Sequence, residues 1–134
     1  MKVLVFGTFD ILHEGHLFFL RKAKSFGSDL FVVVALDSTV LKLKKRHPLN
    51  NQNFRANKLN ELDFVKGAVL GNEGDKFKVV KDLNPDVIVL GYDQFFFTNN
   101  LKKELEKKGL NPKIVRLKES YKPKYYKSSI LRKK

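Results

Sequence analysis

The residues best suited to chemistry lie in one short segment near the start of the chain. His13 and His16 are three residues apart, and they follow the apolar run 3–6. If a helix begins near Gly15, both imidazoles project from its first turn and can donate hydrogen bonds to the same oxygen atoms. Backbone N–H groups where a strand gives way to a helix add further donors for an anion. The segment therefore predicts a phosphate-binding site.

Two glycines in this segment offer room for a ligand. Gly7 ends the apolar run, and Gly15 separates the two histidines. Neither residue carries a side chain, so a ligand can approach the backbone at both positions without a steric penalty.

Strands and helices alternate along the chain that positions this segment. Continuously apolar runs predict buried strands over 3–6, 30–36, 68–70, 87–90 and 114–117. Helices are predicted over 15–26, 54–64, 75–83 and 99–108. Gly27 ends the first of these helices, Asn84-Pro85 the third and Gly109 the fourth. This alternation predicts an α/β fold with a parallel sheet and right-handed crossovers, in a single domain over 1–134.

The segment Gly7-Thr8-Phe9-Asp10-Ile11-Leu12-His13-Glu14-Gly15-His16 resembles the signature of the cytidylyltransferase-like nucleotidyltransferases, whose shared element is His-x-Gly-His. Members of this family transfer a nucleoside monophosphate from CTP or ATP to a phosphorylated acceptor and release pyrophosphate. Stretches 71–75 and 84–94, with Ser128-Ser129, are most similar to the archaeal FAD synthases of that family. The resemblance implies a Rossmann-like domain with helices on both faces of a five-stranded parallel sheet of order 3-2-1-4-5. Its implied substrates are MgATP and FMN, and its implied assembly is a homodimer.

The resemblance also implies roles for individual residues. His13 and His16 contact the α-phosphate, with help from the amides of Thr8 and Phe9, in a crevice shared with the loop after the fourth strand. The other residues implied to bind nucleotide are Gly7, Gly15, Gly91, Asp93 (to ribose), Ser128 and Ser129 (to the β- and γ-phosphates).

A second set of residues is implied to act on the acceptor or its phosphate. Lys44 or Lys45 touches both the triphosphate and the acceptor phosphate, and Arg55 binds phosphate. Asp10 orders the loop or contacts the acceptor, and Lys127 replaces a family arginine. Because a phosphate monoester is largely dianionic at neutral pH, the reaction needs no general base, and catalysis consists of positioning and charge stabilisation.

Composition narrows the classes of protein that remain. The absence of cysteine excludes disulfides, thiolate catalysis and cysteine-ligated metals, and three histidines make a dedicated metal site an unfavoured interpretation. Magnesium is expected to arrive with the triphosphate. No apolar run reaches the roughly 18 residues that span a bilayer, and no signal-peptide pattern follows Met1, so a cytoplasmic protein is expected.

The formal net charge of +13 keeps other functions open. Residues 118–134 form a basic C-terminal segment, and clustered positive charge is typical of proteins that bind a nucleic-acid backbone. Attraction of two anionic substrates explains the same charge. The enzyme alternative is a CTP-dependent cytidylyltransferase for a small phospho-alcohol such as glycerol 3-phosphate. The alternative outside catalysis is a protein that binds nucleic acid or a nucleotide.

Overall fold

A computed structural model describes residues 1–72, 77–91 and 101–117. The helices and strands found there follow one another as β1 Lys2–Gly7, α1 Glu14–Lys24, β2 Asp29–Val34, α2 Asp37–Lys44, α3 Gln52–Asn60, β3 Gly67–Leu70, α4 Lys78–Leu83, β4 Val87–Leu90, α5 Leu101–Lys107 and β5 Lys113–Arg116.

The strands form one parallel sheet in the order β3-β2-β1-β4-β5, which confirms the predicted topology. Strand β1 lies in the centre, where Val3 is paired with Leu30 of β2 on one side and with Val87 of β4 on the other. β2 and β3 are added on one side of β1, and β4 and β5 on the other, so the order of the strands reverses between β1 and β4. Because the two strands are parallel, the loops that follow them open at the same edge of the sheet. Open α/β sheets bind ligands at this point.

Successive residues of the central strand point to opposite faces, and each face has its own core. Val3 and Val5 pack in a cluster with residues of α1 and α3, including Leu20 and Leu59. Leu4 and Phe6 pack on the other face with residues of α4 and α5, namely Val79, Val80, Leu101 and Leu105. The predicted arrangement of helices on both faces is therefore confirmed.

Helix α2 is not among the helices predicted from the sequence. The apolar run that follows residue 30 ends as a strand at Val34, and Leu36 is already the N-cap of α2. Only Val40 of this short helix is deeply buried among its residues with a described side chain. The apolar pattern of α2 is therefore too short to distinguish this helix from the end of the preceding strand.

The ends of other helices also differ from the prediction. Helix α1 ends at Lys24, with Ser25 as its C-cap, so the expected function of Gly27 as the residue that closes the helix is wrong. Helix α3 begins two residues earlier than predicted, where Asn51 accepts a hydrogen bond from the Phe54 N–H. The predicted starts of the third and fourth helices lie outside the described residues.

Within the described ranges, no helix combines the length and apolarity needed to cross a membrane.

Candidate active site

The connection from β1 to α1 is a tight loop built around Phe9. This residue has a φ of 51°, which is unusual for a residue other than glycine, and its side chain is buried in the core. A Cβ placed on Gly7 would overlap the Phe9 ring, with the ring Cζ only 2.7 Å away. The room at Gly7 thus holds the Phe9 ring. This differs from the sequence-based interpretation, in which the same room admits a ligand.

His13 is the N-cap of α1. Its Nδ1 accepts a hydrogen bond of 3.0 Å from the Gly15 N–H, so this amide is occupied by the cap. Because Nδ1 acts as an acceptor, the proton of the neutral ring lies on Nε2. The cap therefore fixes one tautomer and leaves the Nε2–H as the group that can donate to a ligand.

His16 stacks on His13, with the ring centroids 4.0 Å apart and the ring planes 22° from parallel. The edge of the Phe9 ring supports it from another side, at a centroid distance of 5.2 Å. The two imidazoles therefore pack as a pair, and the Phe9 ring contacts this pair through His16. The predicted convergence of the two histidines is present.

The charge state of His16 follows from these surroundings. Burial lowers its pKa to about 4, and the neighbouring His13 imidazole and the positive charge of Lys44 act in the same direction, while the Ile11 backbone opposes them. His16 is therefore neutral at pH 7. Its Nδ1 is buried, and no hydrogen-bond partner for it lies among the residues that the structure describes.

Asp10 ties this loop to the segment before α3. Its carboxylate accepts hydrogen bonds of 2.8 Å from the N–H groups of both Leu49 and Asn50. Burial by itself raises the pKa of Asp10, but these donors outweigh it, together with the positive charges of Arg55 and Lys44, and the pKa falls below 3.8. Asp10 therefore connects the loop after β1 to the segment before α3, and its contact with the acceptor stays a prediction.

Arg55 lies beneath the same loop and is 1% exposed. Its guanidinium donates to the Thr8 carbonyl oxygen at 2.9 Å and to the Asn50 carbonyl oxygen at 2.9 Å. It also forms an ion pair with Asp37 Oδ1 at 2.7 Å. All three partners belong to the protein, so the contact with phosphate that the resemblance implies stays a prediction.

Lys44 lies in the last turn of α2 and is exposed. Its positive charge lowers the pKa of both Asp10 and His16. Lys45, the next residue, is the C-cap of α2 with a left-handed backbone. The contact of Lys44 or Lys45 with phosphate stays a prediction.

The loop after β4 begins at Gly91, whose carbonyl oxygen accepts a hydrogen bond of 3.0 Å from Arg116 at the end of β5. This places Gly91 at the sheet edge that also carries the histidines. Four of the predicted site residues lie outside the described residues and stay predictions: Asp93, Lys127, Ser128 and Ser129.

The model of the cytidylyltransferase-like family matches residues 4–134. The chain belongs to this family. It is 46% identical to the FAD synthase of Methanococcoides burtonii, with 90% of this chain and 83% of the relative covered. It is 48% identical to the FAD synthase of Aciduliprofundum boonei, over 88% of this chain and 78% of that protein. With the FAD synthase of Thermococcus sibiricus it shares 44% identity, over 96% of this chain and 88% of that protein.

Solved structures agree on the fold. A protein of Thermoplasma volcanium, described as a lipopolysaccharide core biosynthesis protein, superposes with a TM-score of 0.84 at 42% identity, covering 91% of this chain and 98% of its own. Pantoate-beta-alanine ligase of Francisella tularensis superposes with a TM-score of 0.64 at 17% identity, covering 91% of this chain and 60% of its own. The second similarity concerns the fold alone.

Two residues around this site were missed by sequence reasoning, Asp37 and Asn50. Asp37 directly follows the end of the second apolar run, where parallel strands present functional side chains, and this position was an available signal. Asn50 carries no comparable signal, because its partners, Asp10 and Arg55, come from different parts of the chain.

Proposed function

We propose that this protein is an FAD synthase, which transfers AMP from ATP to the phosphate of FMN and releases pyrophosphate. The observation that carries the proposal is the stacked pair of His13 and His16 at the first turn of α1. The chain that builds this pair is a nucleotidyltransferase by family, and relatives called FAD synthase match it over most of its length.

The reaction requires bond exchange at one phosphorus atom. An oxygen of the FMN phosphate forms a bond to the α-phosphorus of ATP, and the bond from that phosphorus to the bridging β-phosphate oxygen breaks. The electron pair leaves with pyrophosphate. Since the attacking phosphate is largely dianionic at neutral pH, no side chain has to remove a proton from it.

The two histidines would then stabilise charge on the α-phosphate and the leaving oxygen. His13 offers its Nε2–H, and His16 is neutral before the substrate binds. A triphosphate beside His16 favours its protonated form, so binding of ATP should raise its pKa. His16 therefore gains positive charge where negative charge develops.

Backbone amides complete this part of the proposed site. Among the described residues, no protein acceptor is hydrogen-bonded to the N–H of Thr8 or of Phe9. These donors lie between β1 and the N-cap of α1, and we assign both to the α-phosphate. Gly7, Gly15 and Gly91 shape the adjacent backbone, and Asp93, Ser128 and Ser129 are proposed ligands of ribose and of the β- and γ-phosphates.

Lys44 is the proposed link between the triphosphate and the FMN phosphate, with Lys45 and Lys127 as further cations near the anions. Magnesium is proposed to enter with ATP and to be held mostly by phosphates and water. In the described ranges, no group of three or more His, Cys, Asp or Glu side chains is arranged to hold a metal ion. A homodimer and a cytoplasmic location complete the proposal, both as predictions from the sequence.

The test is a direct assay of product. The protein is incubated with Mg²⁺, FMN and either ATP or CTP, beside reactions in which glycerol 3-phosphate replaces FMN. Pyrophosphate release and product masses are measured. FAD formed only from ATP and FMN is the expected result. A CDP-alcohol as the main product would overturn the proposal in favour of the cytidylyltransferase, and no product from any pair would contradict both.

A further inference from the structure

Arg55 is the charged side chain most completely enclosed among the described residues. Burying a charge is costly unless it is paired and hydrogen-bonded. Three acceptors from different parts of the chain are hydrogen-bonded to this guanidinium. They are the Thr8 carbonyl after β1, the Asp37 carboxylate at the start of α2 and the Asn50 carbonyl before α3. Arg55 therefore holds these three parts of the chain together at one edge of the sheet.

The bond to Thr8 bears directly on the proposed phosphate site. Arg55 holds the carbonyl oxygen of the peptide that joins Thr8 to Phe9. In a trans peptide the N–H points opposite to the carbonyl, so the Phe9 N–H is directed away from the guanidinium. The same peptide leads into the left-handed backbone of Phe9, a conformation that persists only where the surroundings impose it.

Asn50 adds a second connection to the same loop. Its side-chain amide donates to the Asp10 carbonyl oxygen at 2.6 Å, and its backbone N–H donates to the Asp10 carboxylate at 2.8 Å. Its own carbonyl accepts from Arg55 Nε at 2.9 Å. Asn50 thereby couples the position of Asp10 to that of Arg55.

We propose that Asp37 and Asn50 are positioning residues for adenylyl transfer, which act through Arg55 and Asp10 to aim the Phe9 N–H at the α-phosphate. Arg55 then acts from behind the loop instead of binding phosphate itself. Arg55 is 1% exposed, so a phosphate has no open side from which to reach the N–H groups that its three protein partners leave over. Only the expected change in kcat depends on the proposed adenylyl transfer.

The first test replaces Asp37 by Asn, which keeps the shape of the side chain and removes its charge. We expect kcat per folded enzyme to fall about 10- to 100-fold, since misplacement by about 1 Å costs that order of rate, while KM for ATP changes less than about threefold. Asp82→Asn is the matched control, because Asp82 forms an exposed ion pair with Lys78 at 2.9 Å on α4. Its kcat should equal that of the wild type.

The opposite result has a distinct signature. If Arg55 binds phosphate directly, removing the Asp37 charge frees the guanidinium, and KM for ATP falls or stays constant with kcat unchanged. If Asp37 is merely structural, the melting temperature falls while kcat per folded enzyme does not. Asn50→Ala removes the side-chain bond to the Asp10 carbonyl oxygen and keeps the two backbone bonds, so it should lower kcat in the same direction as Asp37→Asn but by less. The double variant should lose less than the product of the two single losses. A loss of kcat in the double variant equal to the product of the two single losses would contradict coupling between Asp37 and Asn50.

A spectroscopic readout separates this inference from the proposed activity. With ¹⁵N-labelled phenylalanine, the Phe9 amide resonance is identified by its loss in Phe9→Leu. We expect this resonance to shift or broaden in Asp37→Asn without any substrate, while that of Phe31 in β2 stays in place. An unchanged Phe9 resonance overturns the inference even if FAD is formed. A changed resonance in a protein that makes no FAD would overturn only the proposed function.

Discussion

His16 is the residue whose chemistry the site defines most sharply. Replacing it by Asn removes the imidazole that stacks on His13, and loss of one preorganised charge-stabilising donor should reduce kcat for FAD formation about 10²- to 10³-fold. The fold should persist, because the histidine lies at the first turn of α1 and not among the core side chains. Initial rates and circular dichroism spectra of the same samples measure both outcomes. His47→Asn, the same change at an exposed histidine, is the control, and retained activity in His16→Asn would refute the role.

The lowered pKa of His16 makes stability depend on pH in a defined direction. Its pKa is 6.5 when unperturbed and about 4 in the folded protein, so between these values the unfolded chain binds more protons. Stability therefore falls as the pH drops from 6.5 to 4. His16→Asn lacks this contribution. We expect its loss of unfolding free energy between pH 7 and pH 4.5 to be smaller than that of the wild type by about 1 kcal/mol, after allowance for solvent screening. Urea titrations at the two pH values measure this difference, and equal losses would contradict it.

The ends of helices α1 and α5 show how one residue type serves two purposes. Gly109 follows α5 with a φ of 77° and open space around it, as predicted from the sequence. Gly27 follows α1 without a positive φ, but a Cβ there would lie 2.6 Å from the Met1 carbonyl oxygen. The first glycine is needed for its backbone conformation, and the second for the close approach of β1.

Substitution by Asn distinguishes these two requirements. Gly109→Ala should lower the unfolding free energy by about 1 kcal/mol, and Gly109→Asn by less, because Asn tolerates the left-handed region. Gly27→Ala and Gly27→Asn should both lower it by about 1–3 kcal/mol through overpacking. Urea unfolding measures all four, with Gly67→Ala as the control, since its nearest neighbour, Phe31, lies 3.6 Å away. A Gly27→Ala variant as stable as the wild type would contradict the steric argument.

Secondary structure was predictable where the residues themselves determine it. Strands β1 and β4 are entirely apolar over 3–6 and 87–90, and both are completely buried there, so the sequence located them almost to the residue. Helix α2 was missed because it is short and because the apolar run before it continues past the end of β2. The sheet order was implied by family resemblance and confirmed by the strand pairing.

The site was predictable in part, for a related reason. His13 and His16 are close in sequence, so one helical turn brings them together, and their stacking follows from local geometry. Arg55 is different, because its partners at 8, 37 and 50 come from three separate segments. The resemblance implied only that it binds phosphate. Arg55 is buried because the folded sheet brings these three segments together at one edge. The sequence of a single segment does not show that arrangement.

The charge of the whole molecule bears on the nucleic-acid alternative. A net charge of +13 attracts polyphosphates of every kind, and a protein that releases counterions at 6–10 phosphate contacts loses about 10³- to 10⁵-fold in affinity between 50 and 200 mM salt. A catalytic site built from fixed donors close to the ligand is screened much less. We therefore expect binding of a single-stranded 20-nucleotide oligomer to be measurable at 50 mM KCl and absent at 200 mM, by fluorescence anisotropy.

Under the same change of salt, KM for ATP should rise only a few-fold and kcat should stay constant. Oligomer binding that survives 200 mM KCl would show that nucleic acid is a ligand in its own right. In that case the cationic surface would serve a second partner, because attraction of two small anionic substrates does not require affinity of that kind.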